Sequence, residues 1–321
     1  MVPDGGRDHV PPAHTASRAT GRGGAGLTRI FIAAKLPRCH ELDVGIRTAL
    51  ALGVSACAVL ACARAEAEDA SAIPLAELTM TRGDAPTPAG GRLIEQLRTV
   101  MADVRETKYQ ARTVVRPRDG YYAWDCSGMA AWVLERSAPR AMKSVHATGG
   151  GARAVARDFF RAIARAPTGR ARGGWQRVHI GEVRPGDTFA WLKSPISTSK
   201  ITGHVGFIVG FPEAVAGWPG AYAVRIVDST RLPHQDDARE MDGDGGFGFG
   251  TMVFVTSTSG DDAGEVKAYA WFGTEYLPRE RSRRVRVGDG SRSGTIDDLP
   301  IEDWPYLGFM PAHVVFGRPS A

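Results

Sequence analysis

An α+β domain, with N-terminal helices packed on an antiparallel β-sheet, is what this sequence predicts. Three observations carry that reading. Apolar residues recur at helical spacing before residue 165, short alternating or apolar runs punctuated by Gly and Pro follow Gly174, and no internal repeat interrupts the succession. The composition is that of a folded protein, with 321 residues, 43% hydrophobic and 23% charged. That balance excludes wholesale disorder, collagen and coiled coil. The formal charge is +5, but residues 1–67 hold eight basic and five acidic side chains, so three of the five surplus charges lie there. The remainder is nearly balanced. It shows neither a dense basic face interleaved with aromatics nor a reading module, which argues against a nucleic-acid binder.

The chain opens with a Gly-, Pro-, Ala- and Arg-rich stretch that has no core-forming pattern. From Thr48 to Leu60 it becomes an uncharged run of signal-peptide length, too short to span a bilayer comfortably. Ala63-Arg64-Ala65 and Ala65-Glu66-Ala67 both offer small-x-small cleavage sites. Residues 1–67 therefore read as an N-terminal extension and signal peptide, and the protein as exported, periplasmic or extracellular. The length of the positive region is compatible with a true start downstream of Met1. Val59-Leu60-Ala61-Cys62 resembles a bacterial lipobox, and membrane association is expected only if Cys62 is lipidated.

Residues 68–91, with Pro74, Pro86 and Pro88, read as a linker, and 92–321 as the domain itself. Its first helix spans Arg92 to Glu106 through Leu93, Leu97, Val100, Met101 and Val104; the second starts near Cys126 and ends before Pro139. A third covers 153–165, where Arg153, Arg157, Arg161 and Arg165 form one stripe, read as a solvated face, opposite Val155, Phe159 and Ile163. Strands are expected at Thr188–Leu192, His204–Val209, Ala223–Val227, Thr251–Thr256 and Ala268–Phe272. The Gly243–Gly250 run lacks the context of a dinucleotide loop, and with Asp242 and Asp244 lacks the closing Glu of a calcium loop; it reads as a hairpin or flap.

Cysteine usage narrows the chemistry. Of four cysteines, Cys39, Cys57 and Cys62 lie in the leader, so Cys126 is the sole thiol of the mature chain. Its setting, Tyr121-Tyr122-Ala123-Trp124-Asp125-Cys126-Ser127-Gly128, places it at a helix N-terminus, where unpaired N–H groups and the helix dipole favour the thiolate. Acyl transfer further requires a base and a group that orients it. His204, in Gly203-His204-Val205-Gly206 at the start of an apolar strand, is the candidate base. Asp228, closing the strand Val224-Arg225-Ile226-Val227, is the candidate orienting group if the two strands pair antiparallel; its competing role is to cap a turn at Ser229 and Thr230. His234, beside Asp236 and Asp237, has no second histidine at ligand spacing and reads as part of a polar loop; no metal or organic cofactor is expected. His146, His179 and His313 have no partner pattern.

These residues resemble the NlpC/P60 family of papain-like cell-wall cysteine peptidases. The likeness rests on the Asp125-Cys126-Ser127-Gly128 box opening a helix, the Arg184-Pro185-Gly186-Asp187 turn before a strand, and Gly203-His204-Val205-Gly206 on the next strand, covering most of residues 105–230. The resemblance implies a papain-like fold and a hydrolase of peptidoglycan stem peptides, often cutting after γ-D-glutamyl. In it Cys126 would be the nucleophile, His204 the proton shuttle and Asp228 the orienting residue. It further implies that Asp125 and Ser127 hold the stem peptide's amine end, and that an upstream tyrosine, Tyr109 or Tyr122, assists the oxyanion or substrate. The chain departs from the family in its spacing, with 78 positions from Cys126 to His204 and 24 from His204 to Asp228, and in Gln110-Ala111-Arg112, where the family has Gly-Gly after the tyrosine. Residues beyond about 235 are not covered. Two other readings stay open: a CHAP-like peptidoglycan amidase, and a non-catalytic wall-binding module of the same fold. The expected partner is peptidoglycan or a related wall peptide, and the expected state a monomer.

Overall fold

A computed structural model describes residues 82–277 and 304–321, apart from 195, 199, 262, 276, 306 and 307. The expected leader, its cleavage sites and Cys62 lie outside the described residues, as does most of the expected linker.

The linker ends sooner than its prolines imply. Helix α1 spans Pro88–Asp103, because Thr87 Oγ1 accepts the Gly90 N–H at 3.0 Å and Pro88 takes the first helical position, where no N–H is needed. It buries Leu93, Ile94, Leu97 and Val100. Helix α2 spans Cys126–Ser137 and α3 Pro139–Thr148. Pro139 was expected to mark an end, and it does stop α2, but it also occupies the first position of a helix that the sequence reading lacks. Helix α4 covers Ala156–Ala164, with Phe159 and Ile163 buried and Arg157 and Arg161 exposed. Arg153 and Val155 precede it, so the arginine stripe begins off the helix.

Three short strands, β1 (Glu106–Tyr109), β2 (Val114–Arg116) and β3 (Tyr121–Trp124), form a small sheet in the order β1-β3-β2. A larger antiparallel sheet contains β4 (Trp175–Val178), β5 (Thr188–Leu192), β6 (Gly203–Ile208), β7 (Glu213–Ala214), β8 (Ala221–Thr230), β9 (Gly246–Thr256), β10 (Val266–Ala270), β11 (Met310–Pro311) and β12 (Val314–Pro319). Their order is β11-β10-β9-β8-β6-β5-β12-β4, with β7 beside β8. Helices α2 and α4 pack on β6, and α4 also lies on β5 and β12. The result is the expected α+β arrangement, helices against a multistranded antiparallel sheet.

Two features of this sheet matter for the site. Strand β12 inserts between β5 and β4, bringing Arg318 to the Pro-Gly-Asp turn. There its guanidinium donates to both oxygens of buried Asp187, at 3.1 and 3.0 Å. Of the two readings of the glycine-rich run, hairpin or flap, the hairpin is the one formed. From Gly246 onward it is strand β9, paired along its length with β8. A Cβ on Gly248 would come within 2.6 Å of Arg239, and one on Gly250 within 2.6 Å of His234 and 2.7 Å of Asp237. Those glycines make room for the segment that crosses over them. No described helix is long and apolar enough to cross a membrane.

Candidate active site

The nucleophile candidate sits where local sequence puts it. Asp125 is the N-cap of α2, its Oδ1 accepting the Gly128 N–H at 2.7 Å, which places Cys126 in the first turn of the helix. Among the described residues it is a free cysteine, and it is buried with 6% of its surface exposed. The sulfur thus lies among the N–H groups at the positive end of the helix with narrow solvent access.

His204 and Asp228 meet through strand register. Strands β6 and β8 are antiparallel with Phe207 opposite Val227, so Gly206 lies opposite Asp228 and His204 is its diagonal neighbour on the same face. Gly206 makes the approach possible: a Cβ there would meet the Phe189 ring at 2.6 Å, the Val227 carbonyl at 2.8 Å and Asp228 Cβ at 2.9 Å. His204 Nε2 lies 2.7 Å from Asp228 Oδ2. Cys126 is near enough for its charge to bear on the same imidazole. With Nε2 committed to Asp228, Nδ1 is the ring nitrogen left for the sulfur. Asp228 therefore orients a side chain within a strand and does not cap a turn, since β8 continues through Thr230.

Burial alone would push His204 toward the neutral form. The neighbouring Cys126 and Asp228 outweigh it and raise the imidazole to about 9. For Asp228, burial favours protonation, but His234, Arg239 and His204 hold its carboxyl well below the usual carboxylate range. The imidazole thus lies between the Asp228 carboxylate and the neighbouring Cys126, both of which favour its protonated form.

Aromatic rings wall the imidazole. Trp191 stands 4.8 Å from the His204 ring, Trp271 5.4 Å and Phe189 6.2 Å, measured between centroids. Of the two tyrosine candidates, only Tyr109 feels the charge of Cys126. Strand β1 runs parallel to β3 with Tyr109 beside Trp124; burial, then the charges of Cys126 and Asp125, hold its phenol above the ordinary value. Tyr122 turns the other way, 1% exposed, its ring against Trp124 and Trp132. Its phenol is raised by burial and by Asp103, and it offers no surface to a substrate.

Asp125 and Ser127 are adjacent as expected, Ser127 Oγ donating to Asp125 Oδ1 at 3.0 Å. The amine-holding role meets an obstacle that the spacing does not disclose. Arg153 spans the Asp125 carboxylate with Nη1 at 3.0 Å from Oδ1 and Nη2 at 2.6 Å from Oδ2, and reaches Ser127 Oγ at 3.4 Å. Its side chain is 46% exposed. So Arg153 is not part of a solvated helix face, and the negative charge beside the nucleophile is already paired.

Two further residues complete the constellation. His234 lies in the polar loop between β8 and β9, as read from the sequence, but its side chain is fully buried: Nε2 lies 2.8 Å from Asp228 Oδ2, and Nδ1 lies 2.9 Å from the Trp271 carbonyl. Arg239 donates from Nη1 to Asp228 Oδ1 at 2.8 Å and from Nη2 and Nε to Asp237 at 2.7 and 2.8 Å. The one signal in the sequence that points to them is the glycine run, whose missing side chains leave space for both. Among the described residues no group of three or more His, Cys, Asp or Glu is arranged to hold a metal ion. Comparison with known protein families, with curated proteins and with solved structures finds no match to this chain.

Proposed function

We propose that this protein is an exported cysteine hydrolase that cleaves amide bonds in peptidoglycan stem peptides, on a papain-like version of the α+β fold. The observation that carries the reading is the 2.7 Å contact of the His204 imidazole with the Asp228 carboxylate, on a ring that also feels the charge of Cys126 in the first turn of α2.

In this mechanism the Cys126 thiolate attacks the amide carbonyl carbon. Imidazolium His204 gives its Nδ1 proton to the leaving nitrogen, and the acyl group remains on sulfur as a thioester. Neutral His204 then takes a proton from water, whose oxygen attacks the thioester; the carboxylic acid leaves and the thiolate–imidazolium pair is restored. Asp228 keeps the ring oriented and its Nε2 protonated throughout. Tyr109, whose phenol feels the charge of Cys126, donates its hydroxyl to the oxyanion.

The test is hydrolysis of purified sacculi by the mature chain, with products identified by mass. Release of fragments ending in γ-D-glutamyl supports the reading. A freed lactyl–L-Ala bond assigns the CHAP-like amidase chemistry instead. Hydrolysis fully retained by Cys126→Ser, or absent from the wild type, overturns it, the latter in favour of a wall-binding module.

A further inference from the structure

The least explained part of the site is His234, a second buried histidine on the same carboxylate oxygen as His204. Its two ring nitrogens have the same kind of neighbour. Nδ1 faces the Trp271 carbonyl oxygen, which can only accept, and Nε2 faces Asp228 Oδ2. A neutral imidazole carries one N–H, so it can satisfy both contacts only if Asp228 supplies a proton from Oδ2. That oxygen also lies 2.7 Å from His204 Nε2, and the guanidinium of Arg239 lies 2.8 Å from Oδ1. Three donors converging on one carboxylate, one of them a permanent cation, favour its ionised form. The proton then belongs to His234.

We propose that His234 is a positioning residue held as an imidazolium, which together with Arg239 keeps Asp228 ionised and fixes His204 as the Nε2-protonated tautomer with Nδ1 turned to Cys126. The inference rests on the reading of His204 as the base of a cysteine hydrolase, but its test needs no turnover.

Charge balance agrees. Arg239 is matched by Asp237, which accepts from its Nε and Nη2 and from the backbone N–H of His234. Asp228 remains as the anion that faces His234. The groups around it are His204 from β6, His234 and Arg239 from the segment after β8, and Tyr109 from β1. His204 in turn faces Cys126 from α2 and Asp228. Trp271 lies against both imidazoles, 4.2 Å from the His234 ring and 5.4 Å from that of His204. Its indole N–H donates to the Pro233 carbonyl at 3.1 Å, fixing the ring whose backbone carbonyl receives His234.

This arrangement has a consequence for the base. A positive His234 offsets part of the Asp228 charge that His204 feels, so removing it strengthens the hold on the His204 imidazolium. Across the short span of one shared carboxylate oxygen, an upward shift of about one pH unit or more is expected. A neutral His234 replaced by Gln would leave that midpoint in place.

The experiment is 15N-histidine NMR of the full chain, with ring signals assigned from His234→Gln and His204→Gln and followed from pH 6 to 10. The expected result is a His234 ring with both nitrogens protonated at pH 7, a His204 whose Nε2 stays protonated, and an upward move of the His204 midpoint in His234→Gln. A His234 with one protonated nitrogen at pH 7 overturns the proposal, as does an unchanged or lowered His204 midpoint. If His234→Gln does not fold, the wild-type spectrum with His204→Gln as the assignment aid still decides the charge of His234. A doubly protonated His234 in a protein that cuts no amide would sink the hydrolase reading and leave this one standing.

Discussion

Replacing Asp228 by Asn changes one atom and removes the charge on which the imidazole leans. Asp228 is fully buried and its Oδ2 lies 2.7 Å from His204 Nε2, which puts the two charge centres about 4 Å apart. At an effective dielectric near 20 such a pair is worth about 4 kcal/mol. Because Arg239 and His234 share the same carboxylate, about half of that, or ~2 kcal/mol, is assigned to His204. That corresponds to a fall of ~1.5 pH units in its midpoint, from about 9 to the neighbourhood of 7.5.

The tautomer suffers as well. In the Asn variant Arg239 demands the amide oxygen, so the amide N–H₂ turns toward His204 Nε2 and drives the ring proton onto Nδ1, the nitrogen that must receive or return the proton at sulfur. Together these effects predict a loss of at least ~10²-fold in sacculus hydrolysis and a slower iodoacetamide reaction of Cys126 at pH 7. The assays are initial-rate hydrolysis, alkylation followed from pH 5 to 10, and a thermal melt showing that the variant is folded. An Asp228→Asn protein that is folded, alkylates within threefold of wild type and keeps its midpoint would refute this account of the site.

Arg153→Ala should leave Asp125 with an unpaired charge beside the nucleophile. Because Arg153 is nearly half exposed, the ion pair is worth at most ~1 kcal/mol in stability. The variant should fold normally, yet show a lower KM for stem peptides with a free amine relative to N-acylated ones; an unchanged KM ratio counts against the assignment. Arg318→Met strands a fully buried carboxylate and should destabilise the protein by about 3–5 kcal/mol at pH 8, measured by urea unfolding. Its pH dependence follows from Asp187, which burial raises to about 6 despite Arg318. A carboxyl raised on folding contributes stability that is present below its unfolded value near 4 and lost as pH rises through about 6. Without Arg318 the carboxyl rises further, so the penalty should shrink between pH 8 and pH 5, and a pH-independent penalty would contradict the buried-charge explanation.

Much of the site was legible before any coordinates, because its signals are local. Cys126 reads as lying at a helix N-terminus, and His204 and Asp228 as positions on two apolar strands. Capping, helical periodicity and alternation act over a few residues and survive in the bare sequence. The same locality explains the errors: Pro139 ends one helix and begins another in successive residues, and the sequence reading credits only the first role. The glycine run reads as a hairpin or a flap, and the choice between them depends on pairing with β8 and on side chains that cross above it.

By itself, then, the sequence determined an α+β chain with a thiol at the mouth of a helix and a histidine strand downstream. Only the tertiary structure decided that His204 and Asp228 stand in register and that His234 and Arg239 share the same carboxylate. It also decided that Arg153 covers Asp125, 28 residues away, and that Arg318 supports Asp187 from a strand 131 residues further on. The physical reason is that a charged side chain announces nothing about its partner. Desolvation makes an unpaired buried charge so costly that a partner must exist, but which residue supplies it is settled only when distant segments are brought together by packing.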